Sequence, residues 1–215
     1  MISGFFKNNV YYLISFLLLL VLGFLWSYNY PKGYELVYFS AHRNAFLNNF
    51  FIVVNYLGEI YTFLLIIFSF ILLKKYRQSI TIGLAGLSTL ALMPYLKNYF
   101  GHPRPLKYFN EILHQPGFLE LVPDVEVTSS WTSSFPSGHT AIAFTLFSLV
   151  CFYSDISPRW RWLIIIAPSL AGMARIYLCQ HFIEDVLGGM IFGILMSIVF
   201  FLIEMRIRPS IKNKP

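Results

Sequence analysis

Charged residues and cysteine are both scarce in this chain of 215 residues. Only 12% of the residues are charged, whereas 57% are hydrophobic and 19% are aromatic. The two cysteines, Cys151 and Cys179, fall in an apolar run and in a short loop, so no disulfide framework is indicated. The sequence also lacks internal repeats and low-complexity linkers. This composition is typical of a polytopic membrane protein, and we expect residues 1–215 to form one membrane-embedded domain.

The apolar residues are gathered into six long runs. A membrane span needs about 20 such residues. The runs predict an all-α fold with six transmembrane helices, near residues 10–28, 52–73, 79–96, 138–154, 162–178 and 186–204. Pro168 and Gly172 in the short fifth run predict a kink or a shallow tilt. No small-residue cleavage site follows the first run, so we expect an uncleaved span rather than a signal peptide.

Basic residues are distributed unevenly between the two sides of the membrane. With the N-terminus inside, ten of the 16 lysines and arginines are cytoplasmic. These ten are Lys7, Lys74, Lys75, Arg77, Arg159, Arg161, Arg206, Arg208, Lys212 and Lys214. Because cytoplasmic segments carry the excess of Lys and Arg, both termini are predicted to be cytoplasmic. A bacterial inner-membrane protein with an external site fits this pattern, as does an endoplasmic-reticulum protein with a luminal site.

The net charge of +6 follows mostly from this topology. The basic residues are divided among short loops and form no continuous stripe, so nucleic-acid binding is not indicated. The lipid bilayer is an expected partner, and the sequence leaves the oligomeric state open.

Three short polar clusters stand at the ends of apolar runs. They are Lys97 with Arg104-Pro105, then Pro136-Ser137-Gly138-His139, then Arg175 with His181 and Asp185. In the predicted topology all three emerge on the external face. An inverted topology would move them together, so we expect them to form one site on either assignment.

The first cluster suits the binding of a phosphate group. Prolines on both sides of Arg104 bias the backbone away from helix and hold the arginine on an extended segment. A guanidinium pairs with two phosphate oxygens at once, while Lys97 supplies a point charge from another direction. The alternative is that these cations only extend their charged ends to the membrane surface, as is common at helix ends.

The second cluster is predicted to begin the fourth helix. Ser137 is a natural N-cap, and the free amides of a helix N-terminus favour a phosphate. Gly138 allows the backbone to approach such a group closely. His139 can donate a proton to a leaving alkoxide. The alternative is an ordinary helix start, which would have the same cap. The presence of His139 favours a functional site over this alternative.

The third cluster has the spacing of a nucleophile and its orienting group. His181 and Asp185 are four residues apart, which on a helix places them on one face. A hydrogen bond to the carboxylate would leave the other ring nitrogen free as a nucleophile and stabilise the cation formed on attack. Arg175 adds a positive charge. A metal site is the alternative, but further ligands are lacking nearby, so no metal is expected.

The three clusters resemble the signature of the type-2 phosphatidic-acid phosphatase family, which is Lys-x6-Arg-Pro, Pro-Ser-Gly-His and Ser-Arg-x5-His-x3-Asp. The match covers residues 97–185 and keeps the spacing inside each part. The resemblance implies a six-helix membrane fold and a phosphohistidine intermediate at His181, oriented by Asp185. His139 would protonate the leaving group. The groups that would hold the phosphate are Lys97, Arg104, Ser137, Gly138 and Arg175.

The sequence departs from this signature at one position. Ala174 stands where the family has serine before the arginine, which removes a hydroxyl donor. We expect altered affinity rather than loss of the reaction. A second open question is Glu59, which shares a helix face with Asn55. An acid inside a span is a functional candidate, whereas an acid at the interface is simply solvated.

These observations predict an integral membrane enzyme that hydrolyses lipid phosphate monoesters or diphosphates without a cofactor. The resemblance implies phosphatidic acid, phosphatidylglycerol phosphate, polyprenyl diphosphate and lipid A phosphates as candidate substrates. A lipid phosphotransferase using the same intermediate is an alternative. A transporter is a weaker one, since broken helices in two symmetric halves would favour it and the sequence shows no internal symmetry.

Overall fold

The computed structural model describes residues 2–123, 125–129 and 133–207. Three of the basic residues predicted to be cytoplasmic, Arg208, Lys212 and Lys214, lie outside these ranges. Over the described residues the fold is all-α, without β-strands, as the sequence predicts.

The helices are α1 (Ile2–Asn29), α2 (Tyr34–Ala41), α3 (Ala45–Asn55), α4 (Ile60–Leu72), α5 (Tyr76–Phe100), α6 (Pro105–Lys107), α7 (Gly138–Tyr153), α8 (Ile166–Tyr177) and α9 (Ile183–Ile207). Three further helical segments complete the described part. Two are 3₁₀ helices, at Tyr56–Gly58 and Pro158–Ile165, and one is a π turn at Tyr108–Ile112 that continues α6.

By length and composition, three of the described helical stretches can cross a membrane. They lie at Gly4–Asn29, Tyr76–Ile112 and Ile183–Ile207. A fourth is added if α3 and α4, which meet at a bend of 54°, count as one span. The protein is therefore an integral membrane protein, while the predicted count of six spans stays a prediction.

The remaining two predicted spans are shorter helices. The helix α7 has 16 residues, or about 24 Å at 1.5 Å per residue. The chain forms a 3₁₀ helix immediately before α8, so the irregular backbone expected at Pro168 occurs before that residue. Proline is accommodated as the third residue of α8, because an amide in the first turn has no partner within the helix.

The helix α7 is the centre of the bundle, and eleven of its residues are buried. It packs against α5, α8 and α9. The contact with α9 is close because two glycines face it. A Cβ atom on Gly189 would lie 2.5 Å from the carbonyl oxygen of Ser137, and one on Gly193 would lie 2.5 Å from that of Ala141. Small residues four apart allow two membrane helices to approach in this way.

Candidate active site

The helix bundle brings the three sequence clusters to one end. Lys97 lies in the last turn of α5, which continues to Phe100, four residues beyond the predicted end at residue 96, and is capped by the left-handed Gly101. Arg104 follows in extended conformation, as the flanking prolines predict. Ser137 caps α7, Arg175 lies in the last turn of α8, and Asp185 lies in the first turn of α9.

Asp185 contacts groups from three parts of the site. Its Oδ2 accepts hydrogen bonds from the hydroxyl of Ser134 and from the amide of Phe182 at 2.9 Å. His181 Nδ1 lies 3.3 Å from the same oxygen. The amide of Ser137 donates to the Asp185 carbonyl at 2.9 Å, which joins the second cluster to the third.

The pairing of His181 with Asp185 is present, but the helical geometry proposed for it is wrong. His181 precedes α9, which begins at Ile183, so the two residues do not share a helix face. Asp185 instead folds back over the start of its own helix to accept the Phe182 amide. Asp185 Oδ2 thereby satisfies one of the amides that the helix leaves without a partner. This orientation holds the ring nitrogen Nδ1 and leaves Nε2 as the nitrogen for reaction.

Burial controls the charge of His181, whose side chain is only 2% exposed. It lowers the pKa of His181 to about 3, and Arg175 and Arg104 add to this effect. Asp185 acts in the opposite direction but does not offset the burial. The imidazole is therefore neutral near pH 7, with a lone pair on Nε2 that suits a nucleophile.

Arg104 is held by polar groups that the sequence analysis did not single out. Its Nη1 donates to the carbonyl and to the side-chain oxygen of Gln180, each at 3.2 Å, and its Nε donates to Ser133 Oγ at 3.2 Å. Gln180 in turn donates to the carbonyl of Glu126 at 2.7 Å. Two consecutive serines stand just before Phe135-Pro136 in the sequence, and they are the local signal for these polar contacts. Ser133 contacts Arg104, and Ser134 contacts Asp185.

The start of α7 has the predicted cap. Ser137 Oγ accepts hydrogen bonds from Thr140, from its amide at 3.4 Å and from its hydroxyl at 2.9 Å, so the hydroxyl proton of Ser137 stays available to a ligand. A Cβ on Gly138 would meet only Met93 Cγ at 3.7 Å, which is ordinary contact. The neighbouring protein atoms therefore do not require glycine at this position. A ligand bound close to the backbone at Gly138 would require a residue without a side chain.

Arg175 is 8% exposed and carries a donor without a partner among the described residues. Its Nη1 donates to Asn55 Oδ1 at 2.8 Å, while its Nε is buried and unpaired. A buried guanidinium with a free N–H group points to an anion as the missing partner. Lys97 is half-buried and lies close enough to Arg104 and Arg175 for their charges to interact.

Ala174 lies beside this arginine but faces apolar groups. It is fully buried in a cluster with Phe51 and Tyr177. The effect of lacking a serine hydroxyl here stays a prediction. Across the described ranges, groups of three or more His, Cys, Asp or Glu side chains arranged to hold a metal ion are also absent.

The sequence model of the PAP2 superfamily matches residues 60–209. The chain belongs to the PAP2 superfamily. The resemblance read from the three clusters is thus confirmed, and the family is one of membrane lipid phosphatases.

Two curated relatives come from Bacillus subtilis (strain 168). The undecaprenyl-diphosphatase BcrC is 23% identical over 180 residues, which cover 83% of this chain and 86% of that protein. Phosphatidylglycerophosphatase B is 35% identical over 79 residues, which cover 33% of this chain and 37% of that protein.

Two solved structures share the fold. Aquifex aeolicus LpxE has a TM-score of 0.65 and 25% identity, and the match covers 81% of this chain and 97% of that one. A Bacillus subtilis transmembrane PAP2-type phosphatidylglycerolphosphate phosphatase has a TM-score of 0.66 and 21% identity. That match covers 95% of this chain and 99% of that one.

Proposed function

We propose that this PAP2 protein hydrolyses phosphate monoesters or diphosphates of membrane lipids through a phosphohistidine at His181. The observation that carries the proposal is the buried His181, held at Nδ1 by Asp185 and close enough to Arg104 and Arg175 for their charges to act on its ring. A histidine in this state is suited to attack a phosphorus atom whose oxygens are bound by those cations.

The reaction has two steps. In the first, His181 Nε2 attacks phosphorus, the bond from phosphorus to the lipid oxygen breaks, and His139 gives its proton to the leaving oxygen. Asp185 stabilises the positive charge that forms on His181. In the second step water attacks phosphorus, its proton passes to His139, and the phosphorus–nitrogen bond breaks to release inorganic phosphate. If a lipid hydroxyl replaced water, the same intermediate would serve a phosphotransferase.

The transferring phosphoryl group carries negative charge on three equatorial oxygens, which must be matched by fixed donors. Arg104, Arg175 and Lys97 supply three positive charges, while Ser137 and the amide of Gly138 supply neutral donors at the start of α7. These groups meet the electrostatic demand of the transition state, so we propose that the reaction is metal-independent.

We also propose the six-span topology, with the site external to a bacterial inner membrane and both termini cytoplasmic. The 3₁₀ helix Pro158–Ile165 and α8 together reach about 34 Å, enough to cross the hydrocarbon core. The helix α7 is enclosed by its neighbours, so its shorter length does not expose polar backbone to lipid. Labelling intact cells with a membrane-impermeant maleimide at Glu120→Cys tests the orientation. Labelling only after lysis would contradict it.

Release of inorganic phosphate tests the chemistry. Purified protein in detergent with EDTA is given phosphatidic acid, phosphatidylglycerol phosphate, polyprenyl diphosphate or a lipid A phosphate. We expect release from at least one of them, abolished by His181→Ala and unchanged by His114→Ala, a matched change at an exposed loop histidine. Release that persists in His181→Ala would contradict the intermediate. Phosphate transferred to an added lipid alcohol instead of to water would favour the phosphotransferase.

A further inference from the structure

A chain of polar contacts connects Arg175 to His139 through two residues of the bent second span. Asn55 accepts from Arg175 Nη1 at 2.8 Å and donates from Nδ2 to Glu59 Oε1 at 2.7 Å. The same carboxylate oxygen lies 3.7 Å from His139 Nε2. The bend between α3 and α4 therefore places a carboxylate beside the proposed proton donor.

The backbone at this bend is shaped for the contact. Gly58 packs directly on His139, and a Cβ there would lie 2.8 Å from the His139 carbonyl oxygen and 3.0 Å from its Cβ. Glu59 is the N-cap residue of α4, a position where an acidic side chain usually accepts from the helix amides. Its side chain makes no such bond here and turns to Asn55 and His139 instead. Local helix capping therefore does not account for the acid.

The charges facing His139 explain why an acid is useful there. Burial is the largest effect opposing a positive charge on the His139 ring, and the positive charges of Arg175, Lys97 and Arg104 add to it. Within the described residues, Glu59 is the one carboxylate inside 4 Å of His139. A general acid must carry its proton before the reaction begins, so this site needs a negative charge to offset the phosphate-binding cations.

We propose that Glu59 is a positioning residue for the reaction, which holds the His139 ring and keeps it protonated for transfer to the leaving group. This inference rests on the proposed phosphatase function and extends it to a residue outside the family signature. Glu59 exchanges no atom with the substrate. The proton given to the leaving oxygen comes from His139 and is restored to it by the attacking water.

The leaving group distinguishes this role from simple phosphate binding. Hydrolysis of phosphatidic acid expels an alkoxide, which needs a proton as the bond breaks. Removal of the terminal phosphate of diacylglycerol diphosphate expels a phosphate ester, which is far less basic because its second pKa is about 6. Loss of the proton on His139 should therefore lower kcat/KM for the monophosphate much more than for the diphosphate, although the lipid tail is the same.

The test compares kcat/KM of both lipids in detergent for the wild type, Glu59→Gln and Glu59→Asp. The ratio kcat/KM reports the steps up to release of the leaving group. For Glu59→Gln we expect a loss of about tenfold to a hundredfold on phosphatidic acid, and of less than about threefold on the diphosphate. Glu59→Asp keeps the charge and should recover part of the loss. For Glu59→Gln, the alkaline limb of the profile of kcat/KM against pH for phosphatidic acid should also move to lower pH, because His139 would lose its proton more easily.

The matched control is Glu204→Gln. Glu204 lies in α9 away from the site and pairs with Arg77 at a distance of 3.4 Å. This change should alter kcat/KM for neither lipid. Equal losses on both lipids would overturn the proposal, because they would assign Glu59 to phosphate binding through Asn55 and Arg175. Unchanged activity of Glu59→Gln on both lipids would overturn it as well. If Glu59→Gln does not fold, the test rests on Glu59→Asp, through its loss of kcat/KM on phosphatidic acid relative to the diphosphate and through its pH profile. Failure of the phosphatase function would instead appear as no wild-type turnover, or as turnover insensitive to His181→Ala.

Discussion

Replacing Asp185 with asparagine should reduce turnover strongly while leaving substrate binding nearly unchanged. The substitution removes a negative charge 3.3 Å from His181 Nδ1 and keeps the shape of the side chain. In the free enzyme His181 is neutral, since burial lowers its pKa to about 3, so the carboxylate has little charge to stabilise before the reaction. During attack the ring becomes cationic, and the contribution of Asp185 appears only then.

The size of the effect follows from the distance. Two unit charges 3.3 Å apart attract by about 5 kcal/mol at an effective dielectric constant of about 20. At 1.4 kcal/mol per factor of ten, this predicts a loss of kcat of about four thousandfold. A change in KM of less than about threefold is expected, because the ground state is neutral at His181.

The assay is initial-rate release of inorganic phosphate over a range of lipid concentrations, with a thermal melt in detergent to confirm folding. Ser134→Ala is the matched comparison, because it removes one donor to the same carboxylate oxygen but keeps the charge. About 1 kcal/mol, or a fivefold loss of kcat, is expected for it. If Asp185→Asn lowers kcat by less than tenfold, or raises KM in proportion, the charge-stabilisation argument is refuted.

Three further predictions concern phosphate binding, helix packing and buried charge. Arg175→Lys removes the forked donor and should raise KM by about thirtyfold, corresponding to about 2 kcal/mol, with an unchanged melting temperature as the check on folding. Gly189→Ala introduces a Cβ 2.5 Å from the Ser137 carbonyl oxygen and should destabilise the protein by about 1–3 kcal/mol in thermal or denaturant unfolding. Gly83→Ala, which meets nothing nearer than 3.7 Å, is its control and should be neutral or stabilising. Burial raises the pKa of Glu35 from 4.5 to about 6. The folded state therefore holds a proton that the unfolded state releases, and the stability present below pH 4.5 falls as pH rises to about 6. Glu35→Gln should remove this dependence and raise stability at pH 7 by about 2 kcal/mol, measured as unfolding free energy against pH.

The prediction of helices succeeded where a local signal was sufficient. The sequence predicts Ser137 as the N-cap of the fourth helix, and the structure confirms its hydrogen bond to the Thr140 amide. The extended backbone at Arg104 followed from the two prolines beside it. In both cases the chemistry of the residue itself, or of its immediate neighbours, restricts the backbone.

The sequence was less informative where residues far apart share one partner. Spacing suggested that His181 and Asp185 lie on one helix face, whereas their contact forms at a helix start that also includes Phe182 and Ser134. The role of Gln180 in holding Arg104 was not predicted, since a single polar residue between apolar ones has many explanations. A hydrogen-bond network of this kind depends on the position of three separate segments.

By itself, the sequence determined that this chain is a helical membrane protein of the PAP2 superfamily and which residue types can bind and transfer phosphate. These properties follow from the length of the apolar runs and from short motifs with fixed spacing. The tertiary structure alone decided that Glu59 faces His139 and that glycines of α9 allow α7 to approach closely. Such relations depend on helix bending and on the distance between helices, which are set by the packing of the whole bundle.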